Sequence, residues 1–325
     1  MKARIHPPTL ANLRRLAAVL QRGGLVAIPT ETVYGLAAHA LDAKACRAIF
    51  TAKGRPANDP LIVHVLDLAH AEELAEFNAV ARKVARRFWP GPLTLVLPKK
   101  TCVPVIVTSG GPTVALRAPA HPLARQLLAL AKVPLAAPSA NPFSYISPTT
   151  AAHVQQGLGG KISHILDGGR CAVGVESTVL DLTHPARPRI LRPGAITADQ
   201  LAQVLKKKVS TKLRPVKANT RLLAPGLLER HYSPRTPLRL TARPAGASRQ
   251  TALIFLRRPA GKTPAHVYWL SQRGALDEIA RNLYRVLRET DLGGYREILL
   301  EKLPATAGGL ATALHDRMKR AAAKL

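Results

Sequence analysis

The chain reads as an α/β protein, and three features of its sequence predict this. Short apolar runs with strand character alternate with segments whose apolar residues recur at helical spacing, the order that builds a sheet with helices packed on it. Two small polar clusters, Thr30-Glu31-Thr32 and Lys53-Gly54-Arg55-Pro56, stand just beyond such elements, where open α/β sheets place their ligands. The pattern then breaks at Lys206, where KKKVSTKLRPVKANTR is charged and aperiodic, and it resumes as a smaller unit. The expected organisation is a first domain over 1–208, a basic linker over 209–237 and a small α/β domain over 238–325.

Thr9 caps a helix carrying Leu10, Leu13, Leu16, Ala17 and Leu20, which Gly23 and Gly24 end. Leu25 to Ile28 reads as a buried strand, and Asp42 caps a helix from Ala43 to about Ala52 that delivers Lys53 and Arg55 at its end. A strand over Leu61 to Leu66 precedes short helices through Arg87, closed by Trp89, Pro90 and Gly91. Strands over Leu93 to Leu97 and Val114 to Leu116 flank a turn at Gly110. A helix over His121 to Ala131, a strand over Leu135 to Ala137 and a helix over Thr149 to Gln156 follow. Strands at Ile162 to Leu166, Ser177 to Leu182 and Arg189 to Leu191 and a helix over Leu201 to Lys207 complete the first domain. The second has strands at Thr251 to Leu256 and Glu297 to Leu300, with helices from Ala275 to Glu289 and from about Gly309 to Ala322.

At 325 residues the chain is long enough for two cores, and its 47% hydrophobic content with a mean hydropathy of +0.02 fits a soluble protein. No apolar run approaches the roughly 18 residues of a membrane span. Arg14 and Arg15 interrupt the apolar residues near the N-terminus, so no signal peptide is expected and the cytoplasm is the default location. Cys46, Cys102 and Cys171 are far apart and form no Cys-x-x-Cys pair, and the eleven histidines show no ligand spacing. A disulfide framework and a zinc site are therefore not expected, and the cysteines read as small buried hydrophobes.

The net charge of +29 concentrates in the linker region, where Lys206 to Arg258 holds fourteen Lys or Arg against the single acid Glu229. Such an excess suits proximity to RNA, tRNA or the ribosome, and equally a solvated basic surface. Only His231 and Tyr232 add aromatic character to it, which is thin for base stacking.

The two polar clusters offer cationic donors beside hydroxyl and carboxylate acceptors, a mixture that suits a nucleotide together with a small polar substrate. Further motifs recur along the chain: PTETVYGL from Pro29, KGRP from Lys53 with PLIVHV after it, VALRAPAHP from Val114, APSAN from Ala137, DGG and GVESTVLDL between Asp167 and Leu182, and LRPGAIT from Leu191. In this order they resemble the signatures of the YrdC family, in its threonylcarbamoyl-AMP synthase branch. APGLLERHYSPRTP, from Ala224 to Pro237, resembles the linker of long-form members that carry an additional C-terminal domain.

The resemblance implies a YrdC-like twisted mixed sheet with a wide concave cavity, followed by a smaller Rossmann-like C-terminal domain. It implies a nucleotidyltransferase that joins L-threonine, bicarbonate or CO2, and ATP into L-threonylcarbamoyladenylate and pyrophosphate. Mg2+ would accompany the ATP, and a tRNA-modification partner would receive the adenylate. That scheme needs positioning and charge neutralisation rather than a covalent nucleophile, and Ser139 has no Gly-x-Ser-x-Gly elbow around it.

Lys53 and Arg55 are the expected phosphate contacts, Lys as a compact charge and Arg as a fork for paired oxygens. By the family pattern, Thr32, His64, Arg117, Ala137 and Ser177 line the threonine pocket, with Arg117 on the carboxylate. Arg55, the position of Asp59, Thr113, Ser139, Ser147 and Arg192 hold ATP, and no residue is assigned as a metal ligand. One departure stands out: Asp59 occupies the place where the family usually has Asn, and a carboxylate there repels phosphate unless it faces adenine, ribose or a metal. The linker from Leu223 to Pro237 reads as a lid. Leu227, Leu228 and Tyr232 between prolines need a surface to cover, and His231 and Tyr232 would close on bound substrates. The alternative is that this segment docks the second domain. Two rival functions are a basic RNA-binding platform and a carbamoyltransferase acting on another acceptor; the latter class carries large metal-binding domains or Cys pairs that this chain lacks.

Overall fold

The computed structural model describes residues 2–211, 222–245, 248–304 and 309–323. The stretch 212–221 of the expected linker therefore lies outside the described residues.

The first unit runs β1 (Arg4–His6), α1 (Leu10–Gln21), β2 (Val26–Ile28), β3 (Gly35–His39), α2 (Ala43–Lys53), β4 (Ile62–His64), α3 (Leu68–Glu72), α4 (Ala79–Phe88) and β5 (Leu93–Pro98). It continues with β6 (Thr113–Arg117), α5 (Pro122–Ala131), β7 (Leu135–Ala136), α6 (Ala151–Leu158), β8 (His164–Leu166), β9 (Thr178–Asp181), β10 (Arg189–Arg192) and α7 (Ala198–Leu205). The second unit comprises β11 (Leu238–Thr241), β12 (Thr251–Arg257), β13 (Val267–Ser271), α8 (Leu276–Leu292), β14 (Glu297–Glu301) and α9 (Gly309–Ala321).

The ten strands of the first unit form one mixed sheet in the order β1-β8-β2-β3-β7-β4-β6-β5-β9-β10. The central strands are short and buried, and their ends meet: His64 on β4 lies in register with Arg117 on β6, and β5 pairs on one side with β6 and on the other with β9. The second unit is a four-stranded parallel sheet, β11-β14-β12-β13, with α8 and α9 packed against it.

The expected helices start where capping chemistry places them. Thr9 accepts from Asn12 N, and Asp42 accepts from Lys44 N and Ala45 N. The α7 helix begins earlier than its apolar residues suggest, because Thr197 and Gln200 form a capping box. Four strands go beyond expectation. β1, β3 and β11 are short or built from small residues, whereas β13 (VYWLS) is rich in β-favouring ones; β3 (GLAAH) has little β propensity of its own. It forms between β2 and β7, and Gly35 admits the backbone just after β7, where a Cβ would stand 3.2 Å from that of Ala137. Cys46 and Cys171 are buried as expected, but Cys102 is exposed in the turn after β5. Among the described residues, no helix is long and apolar enough to cross a membrane.

The cores of the two units are not separate. Val33, Ile146 and Val175 of the first unit belong to the same apolar cluster as Ile279, Leu283, Leu287 and Leu314 of the second.

Candidate functional site

β2 ends at Ile28 and the chain turns through Pro29 to Thr32 before β3. Thr30 Oγ1 organises that turn, donating to Val33 O at 2.6 Å and accepting from Thr32 N at 3.2 Å. Thr32 and Glu31 thereby face the end of β6. Arg117 Nη1 donates to Thr32 Oγ1 at 2.9 Å, and Nη2 lies 2.7 Å from Glu31 Oε1. Burial pushes the Glu31 carboxyl up, but the charge and hydrogen bond of Arg117 outweigh it and leave it below the ordinary carboxylate value. His64, beside Arg117 in the sheet, is held neutral: burial first, then Arg117, lowers it to about 3. Its Nδ1 is buried without a protein partner.

The other wall comes from β9 and β10. Ser177 Oγ lies 2.7 Å from Thr94 Oγ1, and Arg192 Nη2 donates to Ser177 O at 3.0 Å and to Ser177 Oγ at 3.1 Å. Arg55 enters from the turn after α2. Its Nη2 is 2.9 Å from Asp59 Oδ1 and donates to Pro60 O at 2.7 Å, while Nε donates to Asp59 O. Thr32, Arg55, His64, Arg117, Ala137, Ser139, Ser177, Arg192, His231 and Tyr232 thus line one small cavity of about 40 Å3. That is room for a water or two, not for an amino acid and a nucleotide. A larger groove of about 1330 Å3 runs between the linker and the second unit, lined among others by Arg235, Leu238, His315 and Met318, but it holds none of the threonine or ATP contacts expected from sequence. Volume alone does not make it the site, because the convergent buried cations and hydroxyls are all in the small cavity.

The small cavity is the remnant of a larger concavity that the linker fills. Ala224 and Leu227 pack on Ile62, Val96, Ala115, Val179 and Leu191 of the sheet, and Pro225 O accepts from Arg192 Nη1 at 3.2 Å. Tyr232 then turns back through a left-handed conformation, φ 64°, which a bulky residue holds only when its surroundings impose it. Its ring lies under the Arg317 guanidinium at 5.1 Å and beside Tyr284 at 5.7 Å, while His231 contacts Phe143 edge-on. Burial, with Arg55 and Lys53 adding to it, keeps His231 neutral. Residues 224 and 227 of this segment cover the sheet, and Tyr232 packs in the core shared with the second unit.

Four expected contacts lie outside the cavity wall. Lys53 is buried where the left-handed Gly54 turns the chain at the end of α2. Its Nζ donates to Ser139 O and Asn141 O at 2.5 Å each, so its donors go to the APSAN loop and not to the cavity. Asp59 points at Arg55 and is not in the cavity wall. Burial pushes its carboxyl up, with Arg55, Lys53 and Arg192 opposing. Ser147 donates to Glu176 Oε1 at 2.6 Å. Thr113 opens β6, four residues before Arg117 and therefore on the same face, where Ala115 between them lies beneath Ala224.

Two family profiles divide the chain between them. One, described as "Telomere recombination" and covering Sua5, YciO and YrdC proteins, matches residues 18–194. The other, "Threonylcarbamoyl-AMP synthase, C-terminal domain", matches residues 196–323. The chain belongs to the Sua5/YrdC threonylcarbamoyl-AMP synthase family, in its long form. The threonylcarbamoyl-AMP synthase of Pyrococcus abyssi is 41% identical, with 95% of this chain and 93% of that protein covered. That of Bacillus subtilis is 38% identical over 95% and 92%. The crystal structure of P. abyssi Sua5 complexed with L-threonine superposes with a TM-score of 0.88 at 39% identity, covering 98% of each chain.

Sequence reasoning did not single out Glu176, Tyr284 or Arg317. Glu176 lines the cavity and takes hydrogen bonds from Ser147, Tyr284 and Arg317. A signal for Arg317 existed: Ala311, Leu314, Met318 and Ala321 form the apolar stripe of α9, and Arg317 falls on that stripe.

Proposed function

We propose that the chain makes L-threonylcarbamoyladenylate and pyrophosphate from L-threonine, bicarbonate or CO2, and ATP, in the concavity that the linker now fills. The observation that carries this assignment is the convergence, from five separate segments, of Thr32, His64, Arg117, Ala137 and Ser177 on one cavity wall. Arg117 supplies a fork for the threonine carboxylate, and Glu31 beside it offers a negative charge for the ammonium group. Arg55, Arg192 and Ser139 line the same space and hold ATP, the two arginines at its phosphates, with Thr113 further along the β6 face beyond Arg117. Asp59 and Lys53 act as positioning residues, Asp59 by fixing Arg55 and Lys53 by fixing the loop of Ser139. Mg2+ enters as the counter-ion of the triphosphate.

In this scheme the threonine amine adds to CO2 and loses a proton, giving a carbamate. A carbamate oxygen then bonds to the α-phosphorus while the bond to the bridging oxygen breaks, and pyrophosphate leaves with that electron pair. Arg55 and Arg192 offset the charge that builds on the phosphates. The linker must lift to admit ATP, since Ala224, Pro225 and Leu227 cover the face on which Thr113, Ala115 and Arg192 stand. It closes again with His231 and Tyr232 over the substrates, excluding water that would hydrolyse the mixed anhydride. The adenylate passes to a cytoplasmic tRNA-modifying partner, and the basic linker region supplies a tRNA contact.

The test is product formation. Purified protein given ATP, Mg2+, L-threonine and labelled bicarbonate is expected to place the label in an adenylate and to release pyrophosphate. If no labelled adenylate forms while a relative with established activity makes it in parallel, the assignment fails.

A further inference from the structure

Glu176 precedes Ser177 in the segment leading into β9, lines the cavity, and is 5% exposed. A carboxylate in a cavity meant for a triphosphate is unfavourable unless its charge is cancelled on the spot. It is cancelled from the other unit. Arg317 of α9, with no exposed surface, donates from Nε to Glu176 Oε2 at 2.7 Å, and Tyr284 of α8 donates to the same oxygen at 2.9 Å. Burial pushes the Glu176 carboxyl up, but Arg317, Arg192 and Ser147 together leave it below the ordinary value, so it stays charged. The remaining donors of Arg317 tie it to the same wall and to its own helix. Nη2 donates to Pro193 O at 2.9 Å, directly after Arg192, and Nη1 pairs with Asp316 Oδ2 at 2.5 Å.

We propose that Arg317 is a positioning residue for the nucleotide: through Glu176 it cancels a carboxylate that would repel the phosphates, and it holds Ser147 and the Arg192-Pro193 turn in place. The C-terminal unit thereby completes the electrostatics of a cavity whose ligand-facing residues all precede it or lie in the linker. This rests on the reading that ATP occupies the concavity beside Arg192 and Ser147.

The effect is separable from folding, because it depends on the charge left behind on Glu176. In the full-length chain, Arg317→Met is expected to weaken ATP binding about tenfold or more by calorimetry, with L-threonine affinity changed by less than about threefold. Adding Glu176→Gln to Arg317→Met is expected to restore ATP affinity to within about threefold of wild type, since the uncompensated charge is gone. A purely structural role would predict no such rescue. Glu176→Gln alone leaves Arg317 its Asp316 partner and is expected to bind ATP more tightly than wild type. This variant decides the matter if Arg317→Met proves unfolded by circular dichroism. The proposal is overturned if Arg317→Met binds ATP as wild type does, if the double variant is no better than the single, or if Glu176→Gln weakens ATP. Wild-type protein that binds no ATP would instead sink the underlying assignment of the cavity.

Discussion

Removing the Arg117 side chain tests the centre of the site. Arg117→Ala takes away the fork assigned to the threonine carboxylate and, in the same step, the partner of Glu31. Arg117 Nη2 lies 2.7 Å from Glu31 Oε1, and the two side chains are 5% and 11% exposed. One lost hydrogen bond to a charged ligand group is worth about 1.5 to 3 kcal/mol. That corresponds to a rise in the L-threonine dissociation constant of about tenfold to about 150-fold. ATP, held by Arg55 and Arg192 in this scheme, should change by less than about threefold.

The stability change carries a pH signature. In the wild type the folded-state pKa of Glu31 is depressed, so its contribution is present above the unfolded value near 4.5 and is lost as the pH falls through the folded value. In the variant burial, the largest influence on Glu31, is opposed only by backbone hydrogen bonds, and the folded pKa moves up, so the carboxylate destabilises the fold above that value. Both shifts make the penalty of the substitution largest near pH 7 and smaller as the pH approaches 4. Breaking a buried pair of this kind costs about 3 to 5 kcal/mol, with the lower end expected because Glu31 can take up a proton. Denaturant unfolding at pH 7 and pH 4.5, with calorimetry of both ligands, measures each part. A penalty independent of pH, or a loss confined to ATP, would refute the assignment of Arg117.

Three further outcomes follow from the same geometry. Arg55→Ala should weaken ATP most, by about 1.5 to 3 kcal/mol, and L-threonine least; calorimetry showing the reverse would remove Arg55 from the nucleotide site. Gly226 has φ 77°, and a Cβ there would stand 2.6 Å from Tyr232 OH and 3.0 Å from Arg192 Nη1. Gly226→Ala should therefore unseat the linker at a cost of about 1 to 2 kcal/mol and speed tryptic cleavage after Arg230 about five- to thirtyfold, while ATP and L-threonine together should slow that cleavage in the wild type; unchanged rates would rule the lid out. A chain ending at Leu205 should keep its far-UV circular dichroism, since its main core is internal to the first unit, yet lose most synthase activity; full activity would show that neither linker nor second unit is needed.

The elements that sequence shows clearly are those whose signal is local. Asp42 capping α2, the apolar stripe of α1 and the strand runs at Leu61 and Leu93 each depend on residues within a turn or two of one another. β3 and β1 depend instead on what lies beside them. GLAAH becomes a strand because β2 and β7 flank it and Gly35 admits the backbone just after β7, and Arg4–His6 becomes one because β8 offers an edge. The same distinction applies to Cys102, which has an apolar neighbour in sequence but no core above it.

The site divides along the same line. Arg55, Arg117, Ser177 and Arg192 are legible because each sits in a compact motif, and the fold brings those motifs to one place. Lys53 shows the limit of that reading: a lysine beside Arg55 in KGRP reads as a phosphate contact until the left-handed turn at Gly54 places it against two carbonyls. Glu176 shows it more strongly. Within GVEST it is one more acid beside a hydroxyl, and its charge makes sense only when Arg317, 141 residues later, is laid against it. The family profiles meet between residues 194 and 196, yet the apolar cluster of Val33, Ile146 and Val175 with Ile279 and Leu314 crosses that point, as the Glu176–Arg317 pair does. Where motifs end and where a physical core ends are different questions. In this chain the second unit packs into the wall of the cavity, and its α9 helix supplies the charge that lets a carboxylate stand there.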